Sequence, residues 1–408
     1  MLTGADTAAL RSAGDELAHR LEHAVTAVLT AREATTRCNA RAEADLRVPV
    51  AVLDTSARAM VGIGSRIEHL ARVAMTLVAA DRDAVLRADV LGRRDDLLAT
   101  AAARGGPSGA LARLADSLEA LLGADLIMDF DAAGDGLAVA AFGDPSAAPH
   151  VAIVVPGIGN DLGNVARLLA NAAALQRAGG LGVATIAWLG YDTPGRPGSL
   201  DFLGNAWRGG RARAWADELS SFVREVRAGA AAGATVTVVA HSYGGRLAAE
   251  AARGPGLDVD DLVLLGVPGL GVGVDAVADL GLDPDRVTVW AEATGDPAVH
   301  DGLDALAGPW RHVLRGFGID LGELLGVSTV LGRLATGGDP IPYLPSWHGA
   351  DPERAAFGAC GFDVGGARGH SQYFAGASLA SLAAIVAGRT PRADEDRHAD
   401  PSDPACWR

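Results

Sequence analysis

The apolar pattern changes period once along the chain. Up to about residue 123, apolar residues recur at three and four positions, as in Leu17, Leu21, Val25, Val28 and Leu29, and again in Ile63, Ile67, Leu70, Val73 and Leu77. That spacing predicts amphipathic helices. They run from Asp6 to about Ala44, from about Val50 to Ala80 and from about Ala84 to Ala103, with Pro49 between the first two. Gly105-Gly106-Pro107-Ser108 breaks the third, and a short helix, Ala110 to Leu122, follows. No aromatic residue occurs in residues 1–123. The expectation is an N-terminal helical hairpin or bundle over residues 1–123.

From residue 124 the apolar residues come in short β-branched runs. Eight strands are expected: Leu126–Phe130, Leu137–Phe142, His150–Val155, Val183–Trp188, Thr235–Ala240, Leu262–Gly266, Val287–Ala293 and Phe357–Asp363. A Gly/Asp turn joins the first two as a hairpin. From the third onward, helical patterns intervene at Leu162–Ala178, Trp207–Ala228, Gly244–Arg253, Asp320–Leu334 and Ser371–Ala387. Strand–helix alternation with short loops predicts an α/β domain, residues 124–388, with a mostly parallel eight-stranded sheet covered on both faces. The polar, Pro- and Asp-rich tail, residues 389–408, reads as disordered.

One strand-to-helix junction carries chemistry. Thr235–Ala240 runs through His241-Ser242-Tyr243-Gly244 into a helix. A serine on such a sharp turn projects its hydroxyl from the sheet edge, and its strained backbone requires small neighbours at −2 and +2. Ala240 and Gly244 meet that requirement, alanine standing where glycine is usual. The helix starting at Tyr243 aims its N-terminal amides at the site where an oxyanion would form. Small-x-Ser-x-Gly also arises by chance in a Gly- and Ala-rich chain; the flanking strand and helix favour the nucleophile.

A triad on this scaffold runs Ser, then acid, then His. The seventh expected strand ends in Thr294-Gly295-Asp296-Pro297, which makes Asp296 the leading acid. Asp339, in a second Gly-Asp-Pro, is the chief rival, with Asp301 and Asp363 behind it. His370 follows the last strand in a Gly-rich loop and leads as the base; His348 precedes that strand, and His300 and His312 read as loop or surface residues. Ser242 would attack, His370 would move the proton, and Asp296 would orient the imidazole. His241 reads as a packing or substrate contact. His19 and His23 have i,i+4 spacing, but with no third ligand at regular spacing a solvated helix face is the reading, and no metal is expected.

The third strand ends Pro156-Gly157-Ile158-Gly159-Asn160-Asp161. Its glycines allow close backbone approach, and the expected oxyanion donors are the amides of Ile158 and Tyr243. A simple turn capped by Asn160 or Asp161 fits the same residues. Gly157, Trp188, Tyr191, Asp192 and His241 are the expected substrate contacts, with core packing the alternative for Trp188. The long stretch from Pro297 to Arg354 is where a lid would sit.

Composition narrows the chemistry. All 35 basic residues are arginine. Without lysine there is no Schiff base, no P-loop lysine and no Ser–Lys dyad, so a serine here needs histidine. The net charge is −15. Residues 1–123 hold 15 Arg and 16 acids, leaving 20 Arg and 34 acids in the second part. That balance disfavours nucleic-acid and anionic-membrane binding, and anionic substrates in the cleft. Ala and Gly abundance with arginine alone fits a GC-rich coding sequence. Three cysteines, Cys38, Cys360 and Cys406, are odd in number and far apart, and read as no disulfide framework. No signal peptide or apolar run of membrane-spanning length is visible, so the expected location is cytoplasmic.

Taken together, Pro156-Gly157-Ile158-Gly159, Trp188-Leu189-Gly190-Tyr191-Asp192, His241-Ser242-Tyr243-Gly244, His348-Gly349-Ala350-Asp351-Pro352, Phe357-Gly358-Ala359 and Gly369-His370-Ser371-Gln372-Tyr373-Phe374 resemble an actinobacterial alpha/beta-hydrolase family catalogued as a domain of unknown function. The resemblance covers about residues 126–388. It implies the alpha/beta-hydrolase fold with Ser242 and His370 in the site, and offers both Asp296 and Asp339 as the acid. Some relatives carry an N-terminal helical hairpin like the Trp-x-Gly proteins of type VII secretion. This chain has no tryptophan before Trp188, so that export route lacks its turn. The expected activity is cofactor-free hydrolysis of a carboxylic ester or related small-molecule acyl bond, through an acyl-serine. Alternatives are an acyltransferase with the same triad, or a non-catalytic type VII-associated protein that binds a protein partner through its N-terminal helices.

Overall fold

The computed structural model describes residues 79–103, 106, 109–195, 209–267, 269–292, 350–365 and 367–392. The expected helices before residue 79, the segment 297–349 and the tail beyond residue 392 lie outside the described residues. The contacts divide the chain into two compact units, Met1–Asp89 and Val90–Arg408. Helix α1, Gly109–Leu122, buries Leu118 and Leu121 and packs within the second unit.

The second unit is built on seven strands: β1 Leu126–Asp131, β2 Leu137–Phe142, β3 His150–Val155, β4 Val183–Leu189, β5 Thr235–His241, β6 Asp261–Leu265 and β7 Thr288–Glu292. Their order across the sheet is β1-β2-β4-β3-β5-β6-β7. β1 and β2 form the expected antiparallel hairpin, and β2 also pairs antiparallel with β4. From β4 to β7 every pair is parallel. Parallel strands buried on both faces need continuous apolar runs. β4, VATIAWL, is buried at every position, β3 at all but its first residue and β5 at all but its two end residues.

The crossovers are helices α2 Ala166–Gly179, α3 Gly210–Ala214, α4 Ala216–Gly229 and α5 Tyr243–Arg253; α6, Gly376–Val386, follows the sheet. The single helix expected over Trp207–Ala228 is interrupted at Trp215, which has φ −112° and ψ 9°. No described helix is long and apolar enough to cross a membrane.

The expected eighth strand, Phe357–Asp363, is reduced to one parallel bridge, Trp290 to Cys360. The Cys360 amide donates to Val289 O and its carbonyl accepts from Ala291 N. Two residues later the ladder stops, because the Phe362 amide donates to the Glu292 carboxylate at 3.3 Å instead of to backbone. Gly358 at φ 83° has already turned the chain before the bridge. Among the described residues the sheet thus has seven strands, not eight. Cys360 is disulfide-bonded, with its partner cysteine outside the described residues. This corrects the expectation drawn from the cysteine spacing; separation in sequence does not limit proximity in space.

Candidate active site

β3 lies between β4 and β5, so successive connections leave the sheet on opposite sides of it. That reversal opens a crevice at the carboxyl ends of the strands. The register pairs Val155 of β3 with Ala240 of β5. Two residues beyond each, Gly157 and Ser242 leave the sheet at the same level.

Ser242 joins β5 to α5 with φ 55° and ψ −125°. It is the one non-glycine residue with positive φ among the described residues. Such a conformation costs about 1–3 kcal/mol and persists only where its surroundings over-determine it. The Ser242 amide donates to Leu265 O at 2.9 Å, and its carbonyl accepts from Gly245 N at 3.0 Å. A Cβ on Gly244 would lie 2.7 Å from Pro156 O and 2.8 Å from Val155 O, so the turn admits only glycine there. Ala240 is fully buried on the preceding strand. Behind the turn, Leu247, Ala248, Ala249, Ala251 and Ala252 of α5 are buried, and these short side chains let the helix lie close against its neighbours.

The Pro156–Asn160 loop closes on the serine. A Cβ on Gly157 would meet Ser242 Cβ at 2.7 Å, Ser242 Oγ at 3.1 Å and His241 O at 3.2 Å. The loop is held from behind by the segment after β4. The Tyr191 hydroxyl donates to Pro156 O at 2.7 Å, Thr193 Oγ1 donates to Asn160 O at 2.8 Å, and the Gly159 amide donates to Pro194 O at 2.8 Å. Burial pushes the Tyr191 phenol well above its ordinary value, so it stays protonated and able to donate. Burial also raises the Tyr243 phenol, whose oxygen accepts from Ala212 N at 3.2 Å.

His370 is brought to the same corner. His241 Nε2 donates to the His370 carbonyl at 2.8 Å, which fixes the proton on that nitrogen. The two imidazoles lie 4.5 Å apart between ring centres, and His241 also packs 5.6 Å from Tyr373. Residues adjacent to the serine therefore tether the loop that carries the expected base.

The other expected contacts divide. Trp188 is 2% exposed and stacks on Tyr191 at 5.9 Å, with Phe222 of α4 at 6.0 Å. It packs in the core, the alternative that the sequence left open beside a place on the cleft wall; every side chain of β4 is enclosed. Tyr191, 1% exposed, braces the Pro156 loop rather than facing open solvent. Asp192 is paired with Arg211. Asp363 accepts from Gly365 N at 2.6 Å and lies 3.8 Å from Arg392. Asp296, Asp339, Asp301, His348, His300 and His312 lie outside the described residues, as do His19 and His23. Arg246 of α5 is paired with Glu250.

The reversed sheet order, the serine between strand and helix, and a glycine loop against its side chain are those of an alpha/beta-hydrolase fold. Sequence comparison agrees: residues 131–305 match a family model described as alpha/beta hydrolase. Two Mycobacterium tuberculosis proteins, uncharacterized protein Rv2079 of strain H37Rv and uncharacterized protein MT2140 of strain CDC 1551, are each 33% identical over 221 residues. The alignment spans 49% of this chain but only 30% of either relative. A solved Burkholderia cenocepacia structure, of a candidate aryl esterase, is 19% identical over 40% of this chain and 48% of its own, with a TM-score of 0.21. At that score it carries no argument about substrate.

Proposed function

We propose that the protein is a serine hydrolase that cleaves a carboxylic ester or related acyl bond through an acyl-Ser242 intermediate. The observation that carries this reading is the Ser242 backbone, held at φ 55° with its side chain against Gly157. Strain of this kind at a strand-to-helix turn has a use when the hydroxyl must stand clear of the sheet.

In the proposed reaction Ser242 Oγ attacks the acyl carbonyl and His370 takes its proton. The amides of Ile158 and Tyr243 stabilise the tetrahedral oxyanion, helped by the N-terminal end of α5. His370 returns the proton to the departing alcohol, leaving acyl-Ser242. Water, activated by the same imidazole, then attacks the acyl carbonyl and releases the acid. Asp296 is the proposed acid that orients His370. No metal or organic cofactor takes part in these steps.

A nitrophenyl ester series of increasing acyl length tests the reading. Wild type should release nitrophenolate with a chain-length optimum. Ser242→Ala should lose about 10³-fold or more in kcat. Equal turnover by the two would place the activity elsewhere.

A further inference from the structure

Every carbonyl from Pro156 to Asn160 is held by a side chain. Tyr191 holds Pro156 O at 2.7 Å and reaches Gly157 O at 3.5 Å. Asn160 Nδ2 donates to Gly157 O at 3.0 Å and to Ile158 O at 3.3 Å. Asn164 Nδ2 donates to Gly159 O at 2.8 Å. Thr193 holds the carbonyl of Asn160 itself. Both partners of the Asn160 amide group are carbonyl oxygens, so the nitrogen must face them.

Asn160 is therefore not a helix cap. α2 begins later, at Ala166, with Val165 at its N-cap and no capping side chain. What the Asn160 side chain does is fix the Gly157–Ile158 peptide. In a trans peptide the carbonyl and the amide point in opposite directions, and no peptide among the described residues is cis. With Gly157 O drawn back to Asn160, the Ile158 N–H must point the other way. Among the described residues that amide donates to no backbone acceptor outside regular elements. Its neighbour, the Gly159 amide, is already used by Pro194 O. Gly157 lies against Ser242, so the unused amide belongs to the peptide next to the nucleophile.

We propose that Asn160 is a positioning residue that presets the Gly157–Ile158 peptide, so that the Ile158 amide is aimed at the oxyanion before substrate arrives. The inference rests on the serine-hydrolase reading and deepens it. An unheld Gly-Ile peptide can rotate, and a donor that must reorient during the reaction loses its advantage. Asn160 touches no reacting atom, so its effect should appear in the transition state rather than in substrate binding.

The test uses the full chain, with Asn160→Ala, Asn160→Asp and wild type, on p-nitrophenyl butyrate and with phenylboronic acid as a tetrahedral mimic. Asp has the shape of Asn but no donor, and its carboxylate repels Gly157 O. In both variants kcat should fall by roughly 10- to 100-fold with KM within about threefold, and boronate affinity should fall in step. Unchanged kcat in a folded variant overturns the proposal. So does a change confined to KM, or a loss of kcat that only follows the folded fraction. If Asn160→Ala does not fold, the isosteric Asp variant gives the reading; if neither folds, the residue is structural and the proposal fails. If wild type neither turns over the ester nor forms a phosphonate adduct, it is the hydrolase reading that has failed. A crystal structure of Asn160→Asp then reads the peptide directly, and a Gly157–Ile158 peptide oriented as in wild type overturns the proposal by itself.

Discussion

Gly157→Ala is a perturbation of one methyl group whose effect can be worked from distances. The new Cβ would lie 2.7 Å from Ser242 Cβ and 3.1 Å from Ser242 Oγ. Carbon atoms in contact sit about 3.5–4.0 Å apart, so the pair must separate by roughly an ångström. Neither side yields easily. Ser242 is anchored through its amide to Leu265 O at 2.9 Å, and Gly157 through its carbonyl to Asn160 at 3.0 Å. Gly157 is not at positive φ, so the cost is steric rather than conformational. Overpacking of this kind costs about 1–3 kcal/mol of stability, and a misplacement near 1 Å costs about 10²-fold in rate. The assay is the second-order rate of fluorophosphonate labelling beside a thermal melt. Labelling should slow by about two orders of magnitude while the melt falls by only a few degrees. A rate within about threefold of wild type would refute the close approach of loop and nucleophile.

Three further results are expected. Burial pushes the Asp261 carboxyl from 3.8 up to about 6, with the Trp290 indole bond opposing and Asp260 adding to the rise. The folded state thus holds this proton more tightly than the unfolded chain, so the contribution of this carboxyl to stability is fully present below about pH 4 and is lost as pH rises through about 6. Asp261→Asn keeps an oxygen for the indole, which donates to Asp261 Oδ1 at 2.8 Å, but cannot ionise. It should gain about 2 kcal/mol over wild type in urea unfolding between pH 4 and pH 8; an equal difference at both pH values would contradict the reasoning. His241→Phe keeps a ring against His370 but removes the 2.8 Å bond to its carbonyl. One such bond is worth about 0.5–1.5 kcal/mol, so ester kcat/KM should fall roughly 3- to 10-fold, and an unchanged value would free the His370 loop from His241. Alkylation of unfolded, unreduced protein should label one of the three cysteines, because Cys360 and its partner are bonded; three labels would remove the disulfide.

What was legible in the sequence is what local chain geometry determines. The elbow could be read because a β-branched strand, small residues at 240 and 244 and a helix are all contiguous there. The two-residue offset that sets Gly157 opposite Ser242 could not, because it depends on the Val155–Ala240 register. The Tyr191 and Thr193 clamps on the Pro156 loop join residues more than thirty apart, and neither carried a pattern pointing back to it; the Asn160 clamp is local, but its side chain could equally have capped a turn or helix. Trp188 read equally as cleft or core, because it ends a strand at the carboxyl edge; only the enclosure of β4 along its whole length decides for the core. The eighth strand failed because a side chain, Glu292, captured the amide that the ladder needed. Asp296 rests on strand order alone, since it lies outside the described residues.

The central claim is that Ser242 is the nucleophile. The most direct test is to treat wild type and Ser242→Ala with a fluorophosphonate, record intact masses and map the adduct by peptide fragmentation. The expected result is one adduct on wild type, located on Ser242, and none on Ser242→Ala. An adduct that persists in Ser242→Ala, or a wild type that stays unmodified while a control serine esterase is labelled to completion, would contradict it.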